Sequence, residues 1–168
     1  MYSEHWNECE QSKPGVVEEP IDEAAVQARY FQSRLTEKLW HWWAAASRDG
    51  VPHWSSFDVT SHGPLLPNIY VVRALDDAFQ FRLYGERAIQ IIGRNMTGQV
   101  ITPETPGAIS EQLHDYFTRV LTGGRSWRCS GRLLYENRDH IRFESVDIPL
   151  IRYGAVPDTI VGVIDLVG

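Results

Sequence analysis

The period of the hydrophobic pattern changes along the chain, and each change marks a different kind of element. From Ile21 to Arg48 the apolar residues keep helical spacing: Phe31, Leu35, Leu39, Trp42 and Ala46 follow at steps of four, four, three and four. Such steps gather side chains on one face of a helix. Asp22 suits an N-cap, and Asp49-Gly50 with Pro52 beyond ends the run, so a helix over 24–48 is predicted. Trp40 and Trp43 widen its apolar face, which needs a sheet or a second protomer to cover it. Phe31, Leu35, Leu39, Trp42 and Trp43 are therefore candidate residues of a helix or dimer interface.

Beyond a loop from Val51 to Pro67 the pattern becomes that of strands. "NIYVVRAL" is β-branched and aromatic, "DDA" turns, and "FQFRLYG" alternates, with Phe79, Phe81 and Leu83 on one face and Gln80, Arg82 and Tyr84 on the other. A short helix, "ERAIQIIG", closes on Gly93, and a second one after Pro106 carries Ile109, Leu113, Phe117 and Val120 before Gly123-Gly124. Three strands follow. Trp127, Cys129, Gly131, Leu133 and Tyr135 alternate, "ENRD" turns, "HIRFESVDIPLIRY" returns with a bulge, "GAVPD" turns, and "TIVGVIDLV" closes the chain. Five strands with sequential hairpins predict one antiparallel sheet with helices on one face, an α+β domain.

Charge divides the chain. Residues 1–23 hold seven acids and only Lys13 as a base, which equals the whole formal net charge of −6; the remainder carries 15 acids and 15 bases, 14 of them arginine. Residues 1–23 read as an acidic flexible tail and 24–168 as the folded domain. A neutral domain lacks the cation excess that binding to nucleic acid requires. No apolar run approaches a membrane span, the start has no signal-peptide core, and two cysteines form no framework. A cytoplasmic protein with no membrane partner is the expectation.

"FRLYGERAIQIIGRNMTG" (81–98) has the glycine spacing of a phosphate loop at Gly93 and Gly98, but Gln99-Val100 stand where lysine and Ser/Thr are required. These glycines read as turn and cap positions. The histidines show no metal-binding spacing, no Gly-x-Ser-x-Gly elbow is present, and Arg128 and Arg132 point to the strand face opposite Cys129. No catalytic or metal residue is assigned on these grounds.

The order of elements, with "LLPNIYVV" (65–72), "FRLYGERA" (81–88), "GRNMTGQ" (93–99) and "ESVDIPL" (144–150), resembles a PAS domain. It is most similar to a PAS-like subfamily of alphaproteobacteria long described as a domain of unknown function. In that subfamily the late strand reads Leu-Pro-Leu, where this chain has Ile-Pro-Leu. The resemblance implies a five-stranded sheet and a sensory or interaction module in signal transduction, often a homodimer, sometimes holding a small ligand between sheet and helices. Light-sensing PAS relatives bind flavin through a cysteine where this chain has Met96, so no covalent flavin is expected. Haem-binding relatives use a histidine near the place of His114, but His114 lies at the margin of its helix stripe, and haem is not favoured.

Arg73, Arg82, Tyr84, Trp127 and Arg142 form the candidate ligand site, with arginine forks for an anion and aromatic rings for stacking. Alternation separates two faces without saying which is inner. Three functions stay open: a ligand-binding sensory module signalling to a protein partner, a ligand-free interaction domain, and an enzyme with a cone-shaped α+β fold. The last would need an acid–base pair such as Tyr84 with an inward Asp147 or Asp165.

Overall fold

A computed structural model describes residues 15–133 and 140–168. The "ENRD" turn falls outside them. In chain order the elements are β1 (Val16–Pro20), α1 (Arg34–Ala46), β2 (Ile69–Leu75), β3 (Ala78–Tyr84), α2 (Glu86–Ile92), β4 (Val100–Ile101), α3 (Ala108–Gly123), β5 (Trp127–Arg132), β6 (Arg142–Leu150) and β7 (Thr159–Leu166). Short 3-10 segments at Glu23–Ala25, Trp54–Ser56 and Val59–Asn68 fill the connections around α1. All seven strands join one curled antiparallel sheet in the order β1-β5-β6-β7-β2-β3-β4. The fold class is α+β. No helix among the described residues is long and apolar enough to cross a membrane.

The sheet is covered on both faces, not one. On its inner face Tyr70, Val72, Phe79, Phe81 and Ile160 pack against Ile91 and Ile92 of α2 and Phe117 and Val120 of α3. On its outer face Val146, Ile148, Leu150, Val161 and Val163 pack against Phe31, Leu39 and Trp40. The central strands β2, β6 and β7 supply both cores by alternation, so β6 and β7 are buried almost end to end. Leu35, Trp42 and Trp43 border the same outer core, and the Trp43 indole N–H donates to the Pro149 carbonyl at 3.0 Å. The apolar face of α1 is thus covered by the chain's own sheet and does not by itself call for a second protomer.

Three sequence expectations shift in position. Val16–Pro20, placed in the tail, pairs with β5 as an edge strand, so the ordered structure begins before residue 24. The helix starts at Arg34 instead of residue 24, because Arg29 adopts a left-handed φ of 73° and Ser33 is the cap, accepting from Leu35 N at 3.0 Å. Asp22 caps only the 3-10 turn, accepting from Ala24 N at 3.0 Å. Finally, the bulge lies in the β2–β3 hairpin; β6 pairs with β7 in unbroken register. Val72 faces Phe81 and Val71 faces Leu83, leaving Arg82 as the extra residue. The bulge reverses the alternation, so Leu83 is 45% exposed while Tyr84 joins Phe81 on the inner face.

The start of α1 is fastened by Glu144, which is 0% exposed. Its carboxylate accepts from Gln32 N at 2.9 Å, Ser33 N at 3.0 Å and the Thr36 hydroxyl, and pairs with Arg128 at 2.8 Å. Arg128 also pairs with Glu19 of β1 at 2.9 Å and lies 5.1 Å from the Tyr30 ring centre. Two ion pairs that share Arg128 therefore tie β1, β5, β6 and the α1 entry together. Removing one partner of a buried pair strands the other charge, so Glu144→Gln should cost about 3–5 kcal/mol. The double change Glu144→Gln with Arg128→Met should recover much of that loss. Urea denaturation compares them, and equal stability of the single variant and wild type would refute the clamp.

Candidate functional site

Between the inner sheet face and α3 lies a mostly apolar cavity of about 100 Å³. Its walls include Phe81, Tyr84, Leu113, Phe117 and Ile164, and its polar groups are Glu18, Tyr70, Tyr116, Cys129, Ser145, Asp147 and Gln112. No lysine, arginine or histidine lines it among the described residues.

Asp147 is the centre of this polar set. It sits on β6 facing inward, 0% exposed, with Phe143 and Ser145 on the same strand face. Its register partners are Trp127 on β5 and Gly162 on β7, and Gly162 in turn pairs with Tyr70 of β2. The Tyr70 ring crosses over Gly162, so its hydroxyl reaches two strands and donates to Asp147 Oδ1. A Cβ at position 162 would collide with that ring and hydroxyl. From the other side Tyr116 of α3 donates to Asp147 Oδ2 at 2.5 Å. Tyr84 stacks on Tyr70 with ring centres 5.7 Å apart and planes at 21°.

The electrostatics follow from burial without a cation. Desolvation pushes the Asp147 carboxyl up from 3.8 to about 6, against the pull of the Tyr116 and Tyr70 hydrogen bonds; the Glu18 charge adds to the rise. Burial and the Asp147 charge hold both tyrosines well above their ordinary value, so both remain donors. Burial also pushes the Cys129 thiol up, with the Asp147 charge acting in the same direction. A thiol so raised is protonated near neutrality and is not an activated nucleophile. Glu18 at the cavity edge is neutralised by Arg119 of α3 at 2.8 Å.

The structure does not bring the five sequence-derived ligand residues together. Tyr84 alone of the five lines the cavity. Trp127 packs edge-on to Tyr116 with ring centres 5.9 Å apart, under the Arg119 guanidinium at 5.1 Å, and its buried indole N–H has no partner among the described residues. Arg73 lies on the outer sheet face beside Gln80, where the Arg82 guanidinium donates to the Gln80 side chain at 3.2 Å. Arg142 is exposed at the far end of β6. The bulge at Arg82 is the physical reason Arg82 and Tyr84 part company. Of the two aspartates considered for acid–base chemistry, Asp147 faces the cavity and Asp165 accepts from the Ser33 hydroxyl at 2.7 Å on the outer face. His114 lies outside the lining, its Nε2 2.5 Å from the Asp77 carbonyl.

Tyr70, Tyr116 and Glu18 escaped the sequence reading. Tyr70 is hidden in a run of apolar strand residues, and Tyr116 neighbours the Phe117 stripe without helical spacing to flag it. The available signal was Asp147 itself, a charge at an inner position of an apolar strand. No family model matches the chain, and no curated protein is significantly similar to it.

The pH dependence has a definite sign. Below pH 3.8 Asp147 is protonated whether the chain is folded or not; between 3.8 and about 6 the native state alone keeps the proton. Stability from this group therefore falls as pH rises through that window, by on the order of 3 kcal/mol. The stability difference between wild type and Asp147→Asn should change across pH 4–6 and level off above it. Guanidinium unfolding at pH 4, 5, 6 and 7 measures this, and a constant difference would contradict the assignment. Gly162→Ala should cost about 1–3 kcal/mol by overpacking, read as a lowered Tm.

Proposed function

We propose that the chain is a non-enzymatic sensory module of the PAS type that holds a small molecule in the cavity between sheet and α3 and signals through a protein partner. The observation that carries this reading is the cavity itself: apolar walls converging on a buried, hydrogen-bonded carboxyl whose charge no cation among the described lining residues balances. A chain built only to pack or to present a surface has no need of that group there, since burying an unbalanced charge costs stability. The element order that underlies the PAS resemblance, a hairpin, two helices and three strands, supports the same reading. So does the closure of the last strand on the first of the hairpin, which places β2, β6 and β7 together at the cavity floor.

Acid–base catalysis is the second reading, favoured by the value near 6 for Asp147 between two tyrosine donors in an apolar site. It predicts exchange of α-protons of small ketones by wild type and none by Asp147→Asn.

For the sensory reading, native mass spectrometry should show a non-covalent small-molecule adduct. Leu113→Trp, which fills the cavity from α3, should remove it. A bare wild-type mass, with no thermal stabilisation by small aromatic compounds, would favour an interaction domain with a packed interior.

A further inference from the structure

We infer that the occupant of this cavity is a small organic cation, an ammonium group carried on a compact apolar or aromatic body. The inference rests on the ligand-binding reading above and adds the chemistry of the ligand.

It follows from a hydrogen-bond inventory. A tyrosine hydroxyl has one proton, and Tyr70 and Tyr116 each direct theirs to Asp147. What these three groups leave over is lone pairs, two phenol oxygens made more basic by the carboxylate behind them. A ligand group that meets the Asp147–Tyr70–Tyr116 set itself must donate, and an anion there meets repulsion. The donors elsewhere in the lining include the Cys129 thiol, already bonded to Tyr116 and Ser145, and the Gln112 amide. The balancing positive charge is also missing. Glu144 on the opposite face has Arg128, while Asp147 has no cation among the cavity-lining residues. The walls suit the rest of such a molecule: Phe81, Tyr84 and Phe117 line the cavity with aromatic rings, the kind of side chain that an ammonium or an aryl group packs against favourably. The volume of about 100 Å³ is of the same order as engineered cavities that admit a single benzene-sized ring.

The groups that bear on Asp147 come from every neighbouring element: Glu18 of β1 (paired with Arg119), Tyr70 of β2, Tyr84 of β3, Tyr116 of α3 and Cys129 of β5. Of these Tyr70, Tyr116 and the thiol stay neutral at pH 5–7, so over that range the cation's affinity follows the ionisation of Asp147 and rises with pH.

Calorimetric titration of the full chain with benzylamine, toluene and benzoate tests the inference. Benzylamine should bind about tenfold or more tightly than toluene at pH 7, a charge-assisted hydrogen bond being worth that much, and benzoate should bind least. Asp147→Asn should erase the preference while leaving toluene within about twofold. Should that variant fail to fold, Tyr116→Phe removes one acceptor, keeps the ring, and should lower benzylamine affinity selectively. Toluene or benzoate binding as tightly as benzylamine to wild type overturns the cation while the ligand site stands. No binding of any probe, together with a bare native mass, overturns the ligand site itself.

Discussion

Two carboxylates on one central strand organise this protein. Glu144 and Asp147 are three residues apart on β6, so alternation sends them to opposite faces of a sheet that is covered on both sides. Both side chains are completely buried. A buried carboxylate must be balanced by a cation, by hydrogen bonds or by a proton, and the two sites use different solutions.

At Glu144 the solution is structural. A guanidinium on the neighbouring strand, two backbone N–H groups and a hydroxyl consume its lone pairs and hold the entry to α1 against the outer face. The arrangement leaves that carboxylate no capacity for a ligand, and it fixes which sheet face the helix occupies. With α1 committed to the outer face, the inner face is left to α2 and α3, which do not fill it completely.

At Asp147 the solution is incomplete. Two tyrosine hydroxyls satisfy geometry but carry no positive charge, and the carboxyl answers by holding its proton to about pH 6. Such a group costs stability at neutral pH. It sits at the floor of a cavity and is reached by Tyr70 only because residue 162 is glycine.

The α+β class, the β2–β3 hairpin, both inner helices and the three-strand run at the end were legible from periodicity alone, because each element is long enough for its apolar spacing to dominate. The apolar stripe from Phe31 to Trp42 was legible too, though not its partner: spacing says that a face is buried, while what covers it depends on where Glu144 and Arg128 anchor the segment. β1 was hidden because an edge strand of five residues with two glutamates reads as a polar tail until Arg128 and Arg119 are seen to pair with it. The candidate site was least legible. An unbroken two-residue alternation puts Arg82 and Tyr84 on one face, and a single bulge is enough to separate them, while Arg73, Trp127 and Arg142 lie on other parts of the sheet. The Asp147 cluster joins residues from six elements, β1, β2, β3, α3, β5 and β6, with no common spacing. The sequence by itself determined the elements and their buried faces, since these are local periodic properties. Only the tertiary structure decided which carboxylate received a cation and which faced a cavity, since that depends on strand register across the sheet.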